Sequence, residues 1–239
     1  MYQFEEVSRP VLFEDPDAQF RYWGKGSSFL VSSARSVYWV TAEHVIANMG
    51  GWGSAIRVFP SDASTTSLPF NEKYVVKKDL DYDDYKDIFV LRVDLGDFDQ
   101  FGDAPLVSQR LDDGALPASS LSRGEELWVI GYPSDASLID YDAQRIMNTR
   151  SVIRALYDGP FTSRHCYSMN VETSLRLDSY DGLSGSPVYV FREKTIDGTT
   201  LRFPMLVGMV LRGTASSGKL HFMCVSVLES LVATVEQNA

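Results

Sequence analysis

Cysteine is scarce in this chain of 239 residues, which has only Cys166 and Cys224. Neither cysteine lies in a closely spaced cluster of the kind that binds a metal ion. No metal site is visible elsewhere in the sequence, and no cofactor is expected. Because the N-terminus does not resemble an export signal, two reduced and buried thiols are the favoured interpretation. A disulfide bond between the two cysteines is the alternative.

Basic residues and long apolar runs are also few. The chain has 22 Lys and Arg residues against 32 Asp and Glu residues, for a formal net charge of −10. This balance argues against a surface for nucleic acid or for an anionic membrane. No run approaches the roughly 18 apolar residues of a membrane span, and residues 1–10 lack the basic start and apolar core of a signal peptide. We therefore expect a cytoplasmic protein, whose oligomeric state the sequence does not predict.

Long helical periods are missing as well, apart from one at the C-terminus. Seventeen glycines and ten prolines separate many short runs of Val, Ile, Tyr and Phe, a pattern typical of an all-β fold. Two series of strands are predicted. The first comprises residues 22–31, 37–46, 55–59, 74–77 and 88–93, and the second comprises residues 126–131, 146–156, 165–173, 187–191, 201–211 and 220–227.

Three segments outside these strands indicate how the chain is divided. Residues 1–20 resemble an arm or a lead-in strand, and residues 95–123 are rich in Asp, Gly, Pro and Ser, which indicates a connection between two lobes. Near the C-terminus, apolar residues recur at the spacing of one helical face and predict a helix over 226–237. The predicted division is an arm at 1–20, a first lobe at 21–110, and a second lobe with the helix at 111–239.

One serine lies in a turn-like sequence that suits a nucleophile. Gly182-Leu-Ser-Gly-Ser-Pro187 places Ser184 between glycines, just before an apolar run. Glycines allow a tight turn in which backbone N–H groups point to a common position beside the hydroxyl. Such a serine attacks a carbonyl only if the fold supplies a base and an orienting acid. A plain turn before an edge strand is the other interpretation of this motif.

Two further motifs contain the residue types that this serine needs. His44 ends an apolar strand and begins a short turn in Val40-Thr-Ala-Glu-His-Val45, and Asp87 precedes the apolar run at 88–93. Taken alone, His44 is also typical of a structural histidine, and Asp87 is also typical of a cap at the start of a strand. Asp83 and Asp84 are the nearest alternatives for the acid.

The three motifs together, in this order, resemble the chymotrypsin-like (trypsin-like) serine proteases. That family has Thr-Ala-Ala-His, Asp-Ile-Ala-Leu-Leu and Gly-Asp-Ser-Gly-Gly-Pro, where this chain has Thr41-Ala-Glu-His44, Asp87-Ile-Phe-Val-Leu91 and Gly182–Pro187. The resemblance covers residues 20–238. It implies two six-stranded antiparallel β-barrels with a C-terminal α-helix, and an active site in the cleft between the barrels.

The resemblance also implies a role for each residue of the site. His44 is expected to act as the base, Asp87 to orient it, and Ser184 to form the acyl-enzyme. The backbone N–H groups of Gly182 and Ser184 are expected to form the oxyanion hole. The implied function is a serine endopeptidase acting on a protein or peptide substrate. The alternatives are a catalytically idle binding module with this fold and, less favoured, an esterase-like hydrolase.

Departures from the family pattern carry two further expectations. Leu183 replaces the aspartate that, in secreted digestive members, pairs with a newly cleaved N-terminus, so activation by clipping is not expected. Asp178 lies six residues before Ser184, where the family has the floor of the S1 pocket, and Gly213 matches a glycine of its wall. These positions imply cleavage after Arg or Lys. Arg176 and Arg212 are candidates to pair with Asp178 in the free protein.

Overall fold

The structure, a computed structural model, describes residues 4–15, 17, 22–47, 55–76, 83–101, 106–134, 137–140, 145–172, 177–196 and 198–238. Within these ranges it contains fifteen β-strands and three α-helices, which form two lobes. The predicted all-β class is therefore confirmed. Cys166 and Cys224 are both free and buried, as predicted, and burial raises the pKa of the Cys166 thiol to about 12.

The first lobe is a seven-stranded sheet in the order β4-β1-β2-β3-β6-β5, with β7 paired to β2. Its strands are β1 (Ser8–Glu14), β2 (Tyr22–Ser32), β3 (Val37–Thr41), β4 (Ile56–Arg57), β5 (Phe70–Val75), β6 (Phe89–Val93) and β7 (Gln109–Arg110). The count is seven where six were expected, because the two-residue strand β7 adds a parallel pair to an otherwise antiparallel sheet. β1 lies within the predicted arm and pairs with β2 and β4.

The second lobe is a closed antiparallel barrel of six strands in the order β11-β12-β15-β14-β13-β8. Its strands are β8 (Glu126–Gly131), β11 (Ser151–Pro160), β12 (Cys166–Val171), β13 (Pro187–Ile196), β14 (Thr199–Thr214) and β15 (Lys219–Cys224), while β9 (Ser137–Asp140) and β10 (Arg145–Asn148) form a separate hairpin. Ile153, Ala155 and Tyr157 alternate along β11 and point into the core, as the period of a strand requires. The predicted hairpin between β13 and β14 turns at Gly198, and Asp197 lies outside the described residues.

The helices are α1 (Glu43–Ala47), α2 (Leu95–Phe101) and α3 (Val225–Asn238). The predicted C-terminal helix is confirmed as α3, whereas α1 and α2 were not predicted. α2 lies in the predicted connection and begins where the Asp94 carboxylate accepts the backbone N–H of Asp97 at 3.4 Å, a capping contact. None of the helices in the described part of the chain is long and apolar enough to cross a membrane.

Each end of the described chain packs on its own lobe and also contacts the other one. Phe4, in the 3-10 turn before β1, lies edge-on to Tyr189 and Phe191 of the second lobe, with centroid distances of 5.6 and 5.2 Å. In α3, which follows the second lobe, the Glu236 carboxylate accepts the hydroxyl of Tyr38 in β3 at 3.2 Å. Both ends of the described chain thus help to join the two lobes.

Candidate active site

His44 lies in the short helix α1, directly after the buried strand β3. The helix begins immediately after β3, with the Val45 N–H donating to Ala42 O at 3.2 Å. Val45 and Ile46 are buried under the first lobe, whereas the His44 side chain is 36% exposed. The apolar residues of the helix therefore fix its position and leave the imidazole partly exposed.

Asp87 holds His44 at two points. It follows the 3-10 turn Asp84–Lys86, precedes β6, and is only 5% exposed. Its Oδ1 accepts the backbone N–H of His44 at 2.9 Å, and its Oδ2 lies 2.5 Å from His44 Nδ1. Because a carboxylate only accepts hydrogen bonds, this geometry favours the proton on Nδ1 and leaves Nε2 free to act as a base.

In the described part of the chain, neither of the other two acidic candidates is hydrogen-bonded to His44. Asp84 Oδ2 accepts hydrogen bonds from Ser163 Oγ and from Arg212 Nη2, each at 2.5 Å and each from the second lobe. The backbone carbonyl of Asp83 accepts the N–H of Lys86 at 2.9 Å, within the turn. Of the three aspartates, the structure brings Asp87 to the histidine.

Ser184 lies in a turn that is packed tightly against the first lobe. Gly182 and Gly185 both have φ of +88°, a backbone conformation that side chains with a Cβ rarely adopt. A Cβ on Gly185 would lie 1.9 Å from the carbonyl oxygen of Ser27 in β2, so only glycine fits there. The Gly185 N–H donates to Val210 O of β14 at 2.8 Å. The turn is thus held between the two lobes.

The Ser184 hydroxyl donates to the backbone carbonyl of Leu211 at 2.8 Å. This carbonyl is available because Leu211 is the extra residue of a β-bulge, where the pairing of β14 with β15 skips from Val210 to Arg212. Within the part of the chain that the structure describes, no hydrogen bond joins Ser184 Oγ to His44. Proton transfer between them therefore requires the Ser184 side chain to rotate away from Leu211.

Two backbone donors beside Ser184 have no protein acceptor among the described residues. They are the N–H groups of Gly182 and Ser184, whereas the intervening Leu183 N–H donates to Tyr180 O at 3.2 Å. Backbone donors without an acceptor are rare inside folded proteins, and here one is the N–H of the candidate nucleophile itself and the other lies two residues before it. Their arrangement suits the binding of a negatively charged oxygen.

A family model described as a trypsin-like peptidase domain matches residues 26–195, which is more than half of the chain. The matched range contains His44, Asp87 and Ser184. The chain belongs to the trypsin-like peptidase family. No curated protein matches it.

The predicted specificity pocket of this trypsin-like peptidase domain is less well supported by the geometry. Asp178 is exposed, and Arg212 pairs with Asp84, while Arg176 lies outside the described residues. Gly213 lies in β14, where an added Cβ would approach Lys219 O to 2.6 Å. An exposed carboxylate lacks the burial expected of a pocket floor, so the role of Asp178 stays a prediction with one observation against it.

The structural roles of two residues of this peptidase domain were not predicted from the sequence, which indicated Asp84 only as an alternative acid and did not indicate Ser27. Ser27 is fully buried in β2 and contacts the turn of Ser184, and Asp84 joins the turn before Asp87 to the second lobe. Their partners are 79 to 155 residues away in sequence. The only available signal was a pair of serines, Ser27 and Ser28, at the centre of an apolar strand.

Proposed function

We propose that the chain is a serine endopeptidase in which Ser184 is the nucleophile, His44 the general base and Asp87 the orienting acid. The observation that supports this most directly is the double contact of Asp87, at 2.9 Å to the backbone and 2.5 Å to the ring of His44. A structural histidine does not need this arrangement, which fixes both the orientation and the tautomer of the ring.

The proposed reaction uses these donors and acceptors in the following order. Ser184 Oγ attacks the substrate carbonyl carbon while His44 Nε2 takes its proton, and Asp87 stabilises the imidazolium that forms. The N–H groups of Gly182 and Ser184 donate to the oxyanion of the tetrahedral intermediate. His44 then protonates the leaving amine, and a water molecule hydrolyses the acyl-enzyme with His44 again as the base.

One observation favours the second candidate, an idle binding module with a protease fold. The Ser184 hydroxyl is engaged with Leu211 O rather than with His44. In a working enzyme this contact exchanges readily, because rotation about one side-chain bond is fast compared with turnover. In an idle module the hydroxyl would stay with Leu211, and the serine would not react with electrophiles.

Labelling with a fluorophosphonate probe distinguishes the two candidates. We expect the wild-type protein to be labelled at one site and the Ser184→Ala variant not to be labelled. Ser179→Ala is the matched control, because Ser179 lies five residues earlier in the same loop and is expected to leave labelling unchanged. Absence of labelling in a folded wild-type protein, with hydrolysis of no peptide in a library, would favour the binding module.

We also propose cleavage after Arg or Lys, which rests on the match of Asp178 to the family position and not on its exposure. If the proposal holds, Asp178→Ser lowers kcat/KM for such substrates by about 10², the loss expected for a buried ion pair. Profiling with a peptide library measures this preference directly. A preference for small or aromatic residues that Asp178→Ser leaves unchanged would show that Asp178 is only a surface residue.

A further inference from the structure

We propose that Ser27 is a positioning residue that holds the oxyanion-hole turn of Ser184 from the first lobe; this inference rests on the proposed function. The sequence does not show what orders this turn. Leu183 cannot form the ion pair that orders this turn in members activated by clipping, and in the structure Leu183 is fully buried in the core of the second lobe. A different contact must therefore order the polar side of the turn.

Ser27 makes four hydrogen bonds that meet at the site. Its Oγ donates to Gly182 O at 2.7 Å and accepts the N–H of Tyr132, which directly follows β8, at 2.8 Å. Its backbone N–H donates to Ser184 O at 2.9 Å, and its backbone carbonyl accepts Thr41 Oγ1 at 2.7 Å. All four bonds are out of contact with water, because Ser27 is 0% exposed.

These bonds restrain the peptide groups that surround the oxyanion donors. The carbonyls of Gly182 and Ser184 are fixed by Ser27, and the peptide that contains the Ser184 N–H lies between them. Because each peptide group is planar, fixing a carbonyl also fixes the plane of the following N–H. The direction of the Ser184 N–H is thus limited by restrained peptides on both sides.

The same residue connects the two halves of the site. Thr41, which donates to Ser27, is three residues before His44, and Ser184 accepts from Ser27. A serine at this position is specifically suited, because its hydroxyl donates and accepts at once. Alanine would leave Gly182 O and the Tyr132 N–H without their partner in a buried site.

The test compares Ser27→Ala with Ser28→Ala, a matched control on the same strand. Ser28 is also fully buried, and its Oγ donates to the carbonyl of Arg9 at 2.8 Å, away from the turn. After titration of active sites, we expect Ser27→Ala to lower kcat by about 10- to 100-fold with KM within about threefold, because oxyanion donors act in the transition state. Ser28→Ala is expected to lower Tm similarly and kcat by less than about twofold.

A second readout does not depend on activity. Amide hydrogen exchange of Leu183, Gly185 and Ser186 reports the order of the turn, and we expect Ser27→Ala to speed it more than about tenfold beyond the change in Ser28→Ala. Equal kcat per titrated site and equal exchange in the two variants would overturn the role of Ser27. A wild-type protein that is never labelled would instead contradict the proposed function, and the exchange experiment would still decide the role of Ser27.

Discussion

The base half and the nucleophile half of the site are secured in different ways. His44 and Asp87 both belong to the first lobe, and one carboxylate holds the histidine through its ring and its backbone. Ser184 belongs to the second lobe, yet its carbonyl accepts a hydrogen bond from Ser27 of the first. The base and its acid are therefore joined by contacts within the first lobe, whereas the nucleophile is also held by a contact between the lobes.

Two aspartates three residues apart make the two kinds of contact, one within the first lobe and one between the lobes. Asp87 turns to the histidine within its own lobe, and Asp84 turns across the cleft to Arg212 and Ser163. The Asp87 N–H donates to Asp84 O at 3.0 Å, so that the two carboxylates belong to one small turn. One turn thus orients the base and also contacts the second lobe.

The largest effect is expected when either the nucleophile or the base is replaced. Ser184→Ala and His44→Ala should each lower kcat by about 10⁶, and the double variant should be hardly worse, because the two side chains act as one unit in proton transfer. Steady-state kinetics with a peptide substrate measure the three losses, with Ser179→Ala as the control. Losses that multiply in the double variant would show that the two halves do not work together.

The two aspartates should differ strongly when each is replaced by asparagine. Asp87→Asn is expected to lower kcat by about 10⁴, because an amide stabilises the wrong histidine tautomer. Asp84→Asn is expected to lower kcat by no more than about tenfold, because its contacts position the turn without touching the histidine. The measurement is kcat for both variants, with circular dichroism to confirm folding. A larger loss in Asp84→Asn would reverse the assignment of the acid.

A smaller effect, on stability, is expected where the ion pair between the lobes is broken. Arg212→Gln leaves the Asp84 carboxylate with Ser163 alone, and we expect a loss of about 1 kcal/mol in the free energy of unfolding, since the Arg212 side chain is 53% exposed. The control is Arg123→Gln, because Arg123 pairs with Asp158 within the second lobe and Lys219 still holds that carboxylate. Urea unfolding compares the two. If the two variants lost the same free energy of unfolding, the ion pair between Arg212 and Asp84 would contribute no stability beyond that of an ion pair within one lobe.

The smallest effect concerns pH. Burial and the nearby Arg212 and Lys219 charges lower the pKa of His221 from its ordinary value of 6.5. The unfolded chain therefore binds more protons than the folded one below about pH 6.5, and stability falls as the pH is lowered through that range. We expect His221→Gln to remove this contribution, so that the variant loses less stability than the wild type between pH 7 and pH 5. If the free energy of unfolding changed equally between pH 7 and pH 5 in the variant and in the wild type, this expectation would be wrong.

The sequence was sufficient for the parts of the molecule that are encoded locally. A histidine after an apolar strand and an aspartate before one indicated His44 and Asp87, and the structure brings these two together. The apolar period of the last segment indicated α3. The helices α1 and α2 have only five and seven residues, too few to show a helical period.

The parts that were not predicted depend on contacts between distant residues. Ser27 acts on Gly182, which is 155 residues away, and Asp84 acts on Arg212, which is 128 residues away. No pattern within one chain segment encodes such a pair, because the contact exists only after the lobes dock. The exposed position of Asp178 has the same origin, since burial at a loop is decided by what packs over it.

The crossing of the chain ends has a consequence for how the molecule comes apart. Phe4 packs on the second lobe. Leu228 and Val232, on the apolar face of α3, belong to the same hydrophobic core as the buried residues of the first lobe. Neither lobe can then unfold without losing a segment that the other needs, and the two should melt together in a single cooperative transition. A protein cut once between the lobes should likewise stay associated, because each fragment carries a piece of the other's packing.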